Sequence, residues 1–176
     1  MLILFSGVPC SGKSTLAMLT AEHLKTPCFV RDNLQEFLFK QGLVETNTVD
    51  GYHLLLKLAK EQLKLDVSVV LDGVFGKQGF RDEARQIAEQ YNLEFKPIHC
   101  HISNQTVWKN RWHHRQSIHT VSHWMNPTWD DVLRIENNFQ VWETADILSL
   151  DAINPVEQNF QLIKDYLNKN HTKTTL

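Results

Sequence analysis

The chain has 176 residues, of which 42% are hydrophobic and 22% charged, the length and balance of one ordinary soluble domain with a proper core. A formal net charge of -2 supplies no overall attraction to polyphosphate, so binding nucleic acid would require a local basic groove. Cys10, Cys28 and Cys100 are widely spaced and form no disulfide framework, and no apolar run approaches the ~20 residues of a membrane span, so a soluble cytoplasmic protein is expected.

The chain opens on Leu2 to Phe5, an apolar run that breaks at Ser6-Gly7. With no basic residues before it, this run reads as a buried strand and not as a leader. Lys13 to about Lys25 reads as a helix, with Leu16, Leu19 and Leu24 on one face. Pro27 to Val30 is a second short strand. Leu34 to Lys40 is helical and stops at Gly42. Val49 to Leu65 is a longer amphipathic helix with Tyr52, Leu55, Leu56, Ala59 and Leu63 inward. Val67 to Leu71 is a third strand, ending in Asp72-Gly73.

Arg81 to Asn92 is helical, and Phe95 to Ile102 is a fourth strand. Asn104 to Arg115 is a helix with Ser103 as its expected N-cap. Gln116 to Pro127 is polar, aromatic and free of glycine, and is expected to belong to a lid spanning about 111–128. Thr128-Trp-Asp-Asp131 resembles a capping box and opens a helix reaching about Trp142. Ile147 to Leu150 is a fifth strand, Val156 to Asn168 the last helix, and residues from about 170 to 176 a frayed tail. No repeat or linker divides the chain, so 1–176 is expected to be a single domain. Strands alternating with helices imply a five-stranded, mainly parallel sheet covered on both faces, a three-layer α/β/α sandwich.

Gly7-Val8-Pro9-Cys10-Ser11-Gly12-Lys13-Ser14 matches G-x-x-x-x-G-K-[ST] at every defined position. The match follows a strand and opens a helix, the context the motif requires. Gly7 and Gly12 let the backbone bend so that successive N–H groups point into one concavity. The helix start adds its positive dipole end. Lys13 is placed to reach the β- and γ-phosphates, the Ser14 hydroxyl to ligate Mg²⁺, and Thr15 to touch the α-phosphate. ATP and Mg²⁺ are the expected ligands.

The Asn-Lys-x-Asp of guanine-specific GTPases has no counterpart, since the one Asn-Lys, at Asn168-Lys169, lacks the aspartate. Remodelling ATPases of the AAA+ type need a longer chain. Gly7 to Thr15 resembles the opening of the small P-loop kinases, a group with polynucleotide kinase, chloramphenicol phosphotransferase and zeta-toxin members. The likeness covers the N-terminal half best and continues to about residue 145. It implies an AAA-type ATP-binding domain with the P-loop NTPase fold, the kinase-type strand order 2-3-1-4-5 and a helical lid.

In that group the second strand ends in an aspartate that acts as base towards the acceptor hydroxyl, and the matching residue is Asp32. The ends of neighbouring parallel strands converge on one crevice, so Asp32 is expected to face the cradle. Its other reading is a cap for the helix at Leu34. Polynucleotide kinases carry a further arginine where this chain has Gln35, which turns the reading away from a polynucleotide acceptor. Val69-Val-Leu-Asp72 resembles a Walker B strand whose Asp72 holds Mg²⁺; the other reading is a turn aspartate before Gly73. Small kinases clamp the moving phosphate with lid arginines, and Arg111 and Arg115, one helical turn apart, are the candidates; a solvated helix face is their alternative. Arg81 and Arg134 are weaker candidates.

His99, His101, His113, His114, His119 and His123 lack zinc-finger spacing and read as packing or lid surface. Trp108, Trp112, Trp124 and Trp129 flank the lid and read as core, with stacking on adenine as the sharper alternative. The expected activity is transfer of the ATP γ-phosphate to a small-molecule hydroxyl. A nucleoside or polynucleotide 5′-hydroxyl acceptor, and a nucleotide-driven binding switch, are the alternatives. The acceptor and the oligomeric state leave no signature in the sequence.

Overall fold

Leu2, Ile3, Leu4, Phe5 and Ser6 are all fully buried, which is what an apolar run gains when it becomes the middle strand of a covered sheet. The computed structural model describes residues 1–45, 48–117, 127–144 and 146–169. The element order is β1 (Leu2–Ser6), α1 (Lys13–Leu24), β2 (Cys28–Val30), α2 (Arg31–Lys40), α3 (Asp50–Leu63) and β3 (Val69–Asp72). It continues with α4 (Gln78–Gln90), β4 (Phe95–His101), α5 (Gln105–Ser117), α6 (Trp129–Asn137), β5 (Leu148–Asp151) and α7 (Val156–Asn168). The five strands lie in the order β2-β3-β1-β4-β5, and all four pairings are parallel. The expected order holds, and the sheet is wholly parallel.

Alternation along β1 builds the two cores. Leu2 and Leu4 face α3 and α4, packing with Leu55, Leu56, Ala84 and Ala88. Ile3 and Phe5 face α1 and α7, packing with Leu16, Ala17 and Ile163. A third cluster, Val8 with Trp108 and Val132, ties the loop after β1 to α5 and α6.

Several boundaries differ from the sequence reading, each for a visible reason. Helix α2 begins at Arg31 directly after β2, with Val30 at its N-cap and no side-chain cap. Helix α4 begins at Gln78, whose amide donates to Gln140 Oε1. The cap of α5 is Asn104, which accepts from Val107 N at 3.0 Å, while Ser103 N donates to Asp151 Oδ1. The capping box at Thr128 and Asp131 forms as expected, but its helix stops at Asn137 and not near Trp142. Beyond it the backbone is captured from outside: Gln140 N donates to Gly76 O, and Gln140 O accepts from Arg81 Nη2 at 2.7 Å. Residues 118–126 of the expected lid, including His119, His123 and Trp124, lie outside the described residues, as does the expected tail at 170–176. No helix among the described residues is long and apolar enough to cross a membrane.

Candidate active site

Parallel strands bring their C-terminal ends to one edge of the sheet, and the G-x-x-x-x-G-K-S loop leaves β1 there. Gly7 takes φ +147, Cys10 +64 and Gly12 +77, the left-handed values that fold the loop back on itself. Gly7 N donates to Val74 O at 3.1 Å and Ser11 N to Val8 O at 3.3 Å. Trp108 Nε1 donates to Pro9 O at 2.8 Å, fastening the loop to α5. Gly12 is the N-cap of α1 and offers no side-chain cap. The helix's first bond runs from Leu16 N to Gly12 O, so the amides of Lys13, Ser14 and Thr15 are left for an anion.

Val30, Phe5 and Asp72 stand in register across β2, β1 and β3, which sets Asp72 beside the loop. It is 1% exposed, and burial pushes its carboxyl above the usual carboxylate range. The nearby Lys13 ammonium, the Ser14 hydroxyl donating to it and the Arg115 guanidinium pull it back down, while Asp32 pushes it up. The Ser14 hydroxyl thus stands close to this carboxylate, whose Oδ1 is buried without a partner. Ser14 and an orphaned carboxylate oxygen are hard oxygen donors, the ligand set Mg²⁺ favours. The residues fit the ion.

Asp32 lies in the first turn of α2, half-exposed, and accepts from Arg31 Nη1 at 3.2 Å. It caps nothing. Arg31 is itself anchored, donating to Thr48 O at 2.9 Å and lying 5.0 Å from the Tyr52 ring centre. The Tyr52 hydroxyl accepts from Phe75 N at 3.1 Å, and its ring stacks on Phe80; burial pushes this phenol up to about 12. A chain of contacts therefore runs from Gly7 through Val74, Phe75, Tyr52 and Arg31 to Asp32. Arg31, Tyr52 and Phe75 belong to no sequence motif. The Arg-Asp step at a strand end and the inward Tyr52 were their only signals.

Arg111 and Arg115 both line a cavity of about 330 Å³ beside the loop, together with Thr15, Ala152, Asn154 and Asn159. Arg111 Nη2 donates to Ala152 O at 2.6 Å, which holds this guanidinium on the side of the β5–α7 turn. The Arg115 guanidinium is among the charges that act on Asp72. Arg81 is buried beneath the 138–144 strap, 4.5 Å from the Trp142 ring centre, and Arg134 pairs with Asp131 at the surface. His99 touches Ser6, which accepts from Trp142 Nε1. Burial and the neighbouring His101 and Arg81 lower its imidazole to about 4. A larger hollow of about 450 Å³ at Arg85, Phe95 and Asp146 sits by the opposite, N-terminal end of β4, away from this chemistry.

Sheet order, loop and carboxylates together define a P-loop nucleotide-binding domain with the fold of the small P-loop kinases. Residues 2–133 match the family model of the AAA domain, and the chain belongs to that family. No curated protein matches it in sequence. Among solved structures it is similar to a sugar kinase from Janibacter sp. HTCC2649, with TM-score 0.72, 18% identity, and 95% of this chain and 94% of that one covered. It is also similar to Chaetomium thermophilum Kti12 in complex with ADP-AlF3, with TM-score 0.73, 15% identity and coverage of 96% and 100%. A third is the Mycobacterium tuberculosis APS kinase CysC in complex with AMPPNP and APS, with TM-score 0.68, 19% identity and coverage of 96% and 97%.

Proposed function

We propose that this chain is an ATP-dependent kinase that transfers the γ-phosphoryl group to a hydroxyl of a small-molecule acceptor. The observation that carries the reading is the meeting of the uncapped helix start at Lys13, the exposed Ser14 beside the buried Asp72 and the carboxylate of Asp32 at one sheet edge. The loop amides and Lys13 hold the phosphate tail. Asp32 takes the proton from the acceptor hydroxyl as its oxygen bonds to the γ-phosphorus. The bond from that phosphorus to the β–γ bridging oxygen breaks, and ADP departs. Ser14 and Asp72 are the residues that would hold Mg²⁺, which when bound neutralises charge on the β- and γ-phosphate oxygens. Arg115 is the better placed of the two arginines to stabilise charge near the transferring group, and Arg111 sits with the nucleoside.

A small acceptor is favoured by the kinases of sugar and of APS among the similar structures. It is also favoured by Gln35, which is buried with its amide engaged at both ends, to Thr48 Oγ1 and from Gly51 N. A residue so occupied is not free to seat a polynucleotide. An ATP-consuming enzyme with three free thiols suits the cytoplasm. The test is a screen of sugars, nucleosides, antibiotics and 5′-hydroxyl oligonucleotides with γ-labelled ATP. On the best acceptor, Asp32→Asn is expected to lower kcat by about 10²–10⁴-fold; full activity in that variant would remove Asp32 from the base role.

A further inference from the structure

Asn159 is 2% exposed, in the first turn of α7, and it lines the 330 Å³ cavity beside the phosphate loop. Its Nδ2 donates to the carbonyl oxygen of Asp151 at 2.9 Å. A carbonyl can only accept, so this bond fixes which end of the amide is nitrogen and which is oxygen. The oxygen, Oδ1, is left buried without a partner. Buried acceptors are paired in native proteins, and an orphaned one on a residue that lines a cavity points to a donor supplied by whatever fills that cavity.

The rest of the wall narrows what that donor is. The cavity begins at Gly12 and Thr15, where a phosphate chain would leave the loop, and extends to Ala152, Asn154 and Val156 in the β5–α7 turn. A nucleoside attached to phosphates in the loop would therefore set its base against α7. Among the described residues, no aspartate or glutamate lines the cavity. Guanine offers two adjacent donors, N1–H and N2–H, which a carboxylate meets with two oxygens. Adenine offers the single 6-amino group, which one amide oxygen meets.

We propose that Asn159 reads the base of the bound nucleotide, selecting a purine with a 6-amino group by accepting its N–H at Oδ1. The inference rests on the nucleotide site proposed above and adds to it the residue that sets base specificity. A base with oxygen at position 6 turns an acceptor towards Oδ1, and one with hydrogen there leaves Oδ1 unpaired.

The experiment is binding calorimetry of the full chain with the magnesium complexes of ATP, purine riboside 5′-triphosphate and inosine 5′-triphosphate. No acceptor is needed. The expected result is binding of ATP about tenfold tighter than purine riboside triphosphate, with inosine triphosphate no better than the latter. In Asn159→Leu and the smaller Asn159→Ala, whichever melts as a folded protein, the ATP preference is expected to shrink to about twofold or less while purine riboside triphosphate keeps its wild-type affinity. Equal affinity of the wild type for ATP and purine riboside triphosphate would overturn the inference, as would an undiminished preference in a folded variant. Either result leaves the phosphate site standing. If the wild type bound none of the three and matched Lys13→Ala, the nucleotide reading itself would fall and this inference with it.

Discussion

A methyl group on Gly7 would stand 2.1 Å from the Cys100 carbonyl oxygen, at a backbone φ of +147. The obstacle is β4 backbone and has nowhere to move. Gly7→Ala is therefore expected to cost about 3 kcal/mol of stability and to displace the loop, so that a melting curve and an ATP titration both fail together. His99 gives a different residue-level signature. Its imidazole takes a proton near pH 6.5 when unfolded and only near 4 when folded. Between those values the unfolded state binds more protons, so stability falls as the pH drops through that window. With partial exposure discounted, the loss is on the order of 2 kcal/mol. Thermal melts at pH 7 and 5 are expected to show a smaller drop for His99→Gln than for the wild type.

At the scale of elements, the base candidate is tied through its helix neighbour Arg31 to α3 and to the turn after β3. Asp32 meets Arg31, Arg31 meets Tyr52, and the Tyr52 hydroxyl accepts from Phe75 N in the turn after β3. Tyr52→Phe removes that acceptor and leaves the Phe75 amide unpaired, at about 1 kcal/mol of stability. Its larger expected effect is on kcat, a fall of about tenfold with ATP affinity little changed; an equal rise in the ATP Kd would point to a disturbed loop instead. This chain of contacts also marks where the sequence stops being informative. Gly7, Gly12, Lys13 and Ser14 were legible because their backbone and charge requirements are local. Asp32 and Asp72 were singled out by their resemblance to the strand-end aspartates of small P-loop kinases, and the convergence of parallel strand ends accounts for their lying on one rim. Tyr52 carried only its helical spacing, which marks it as inward-facing and says nothing of the hydroxyl's partner 23 residues away. The helix read as reaching Trp142 stops at Asn137 because Gly76 and Arg81 take the backbone of Gln140, a capture no local pattern announces.

At the scale of the molecule, the strand order β2-β3-β1-β4-β5 places the loop, Asp32, Asp72 and the β5–α7 turn along one rim. A ligand spanning that rim stitches α1, α2 and α7 together and binds only the folded chain. At 100 times its Kd, magnesium-ATP is expected to add about 2.7 kcal/mol, a rise in Tm of about 5–10 °C for a domain of this size. Lys13→Ala should show no such rise in a calorimetric scan. One further consequence follows from the way the loop is fastened. Trp108 holds Pro9 O through its indole nitrogen and meets Trp129 edge-on at 5.1 Å, while Trp112 lies 5.8 Å from the same ring. The protein thus carries a natural fluorophore clamped to the loop proposed to hold phosphates, and a change in its ultraviolet emission on adding magnesium-ATP is the expected optical sign of loading, with no attached dye.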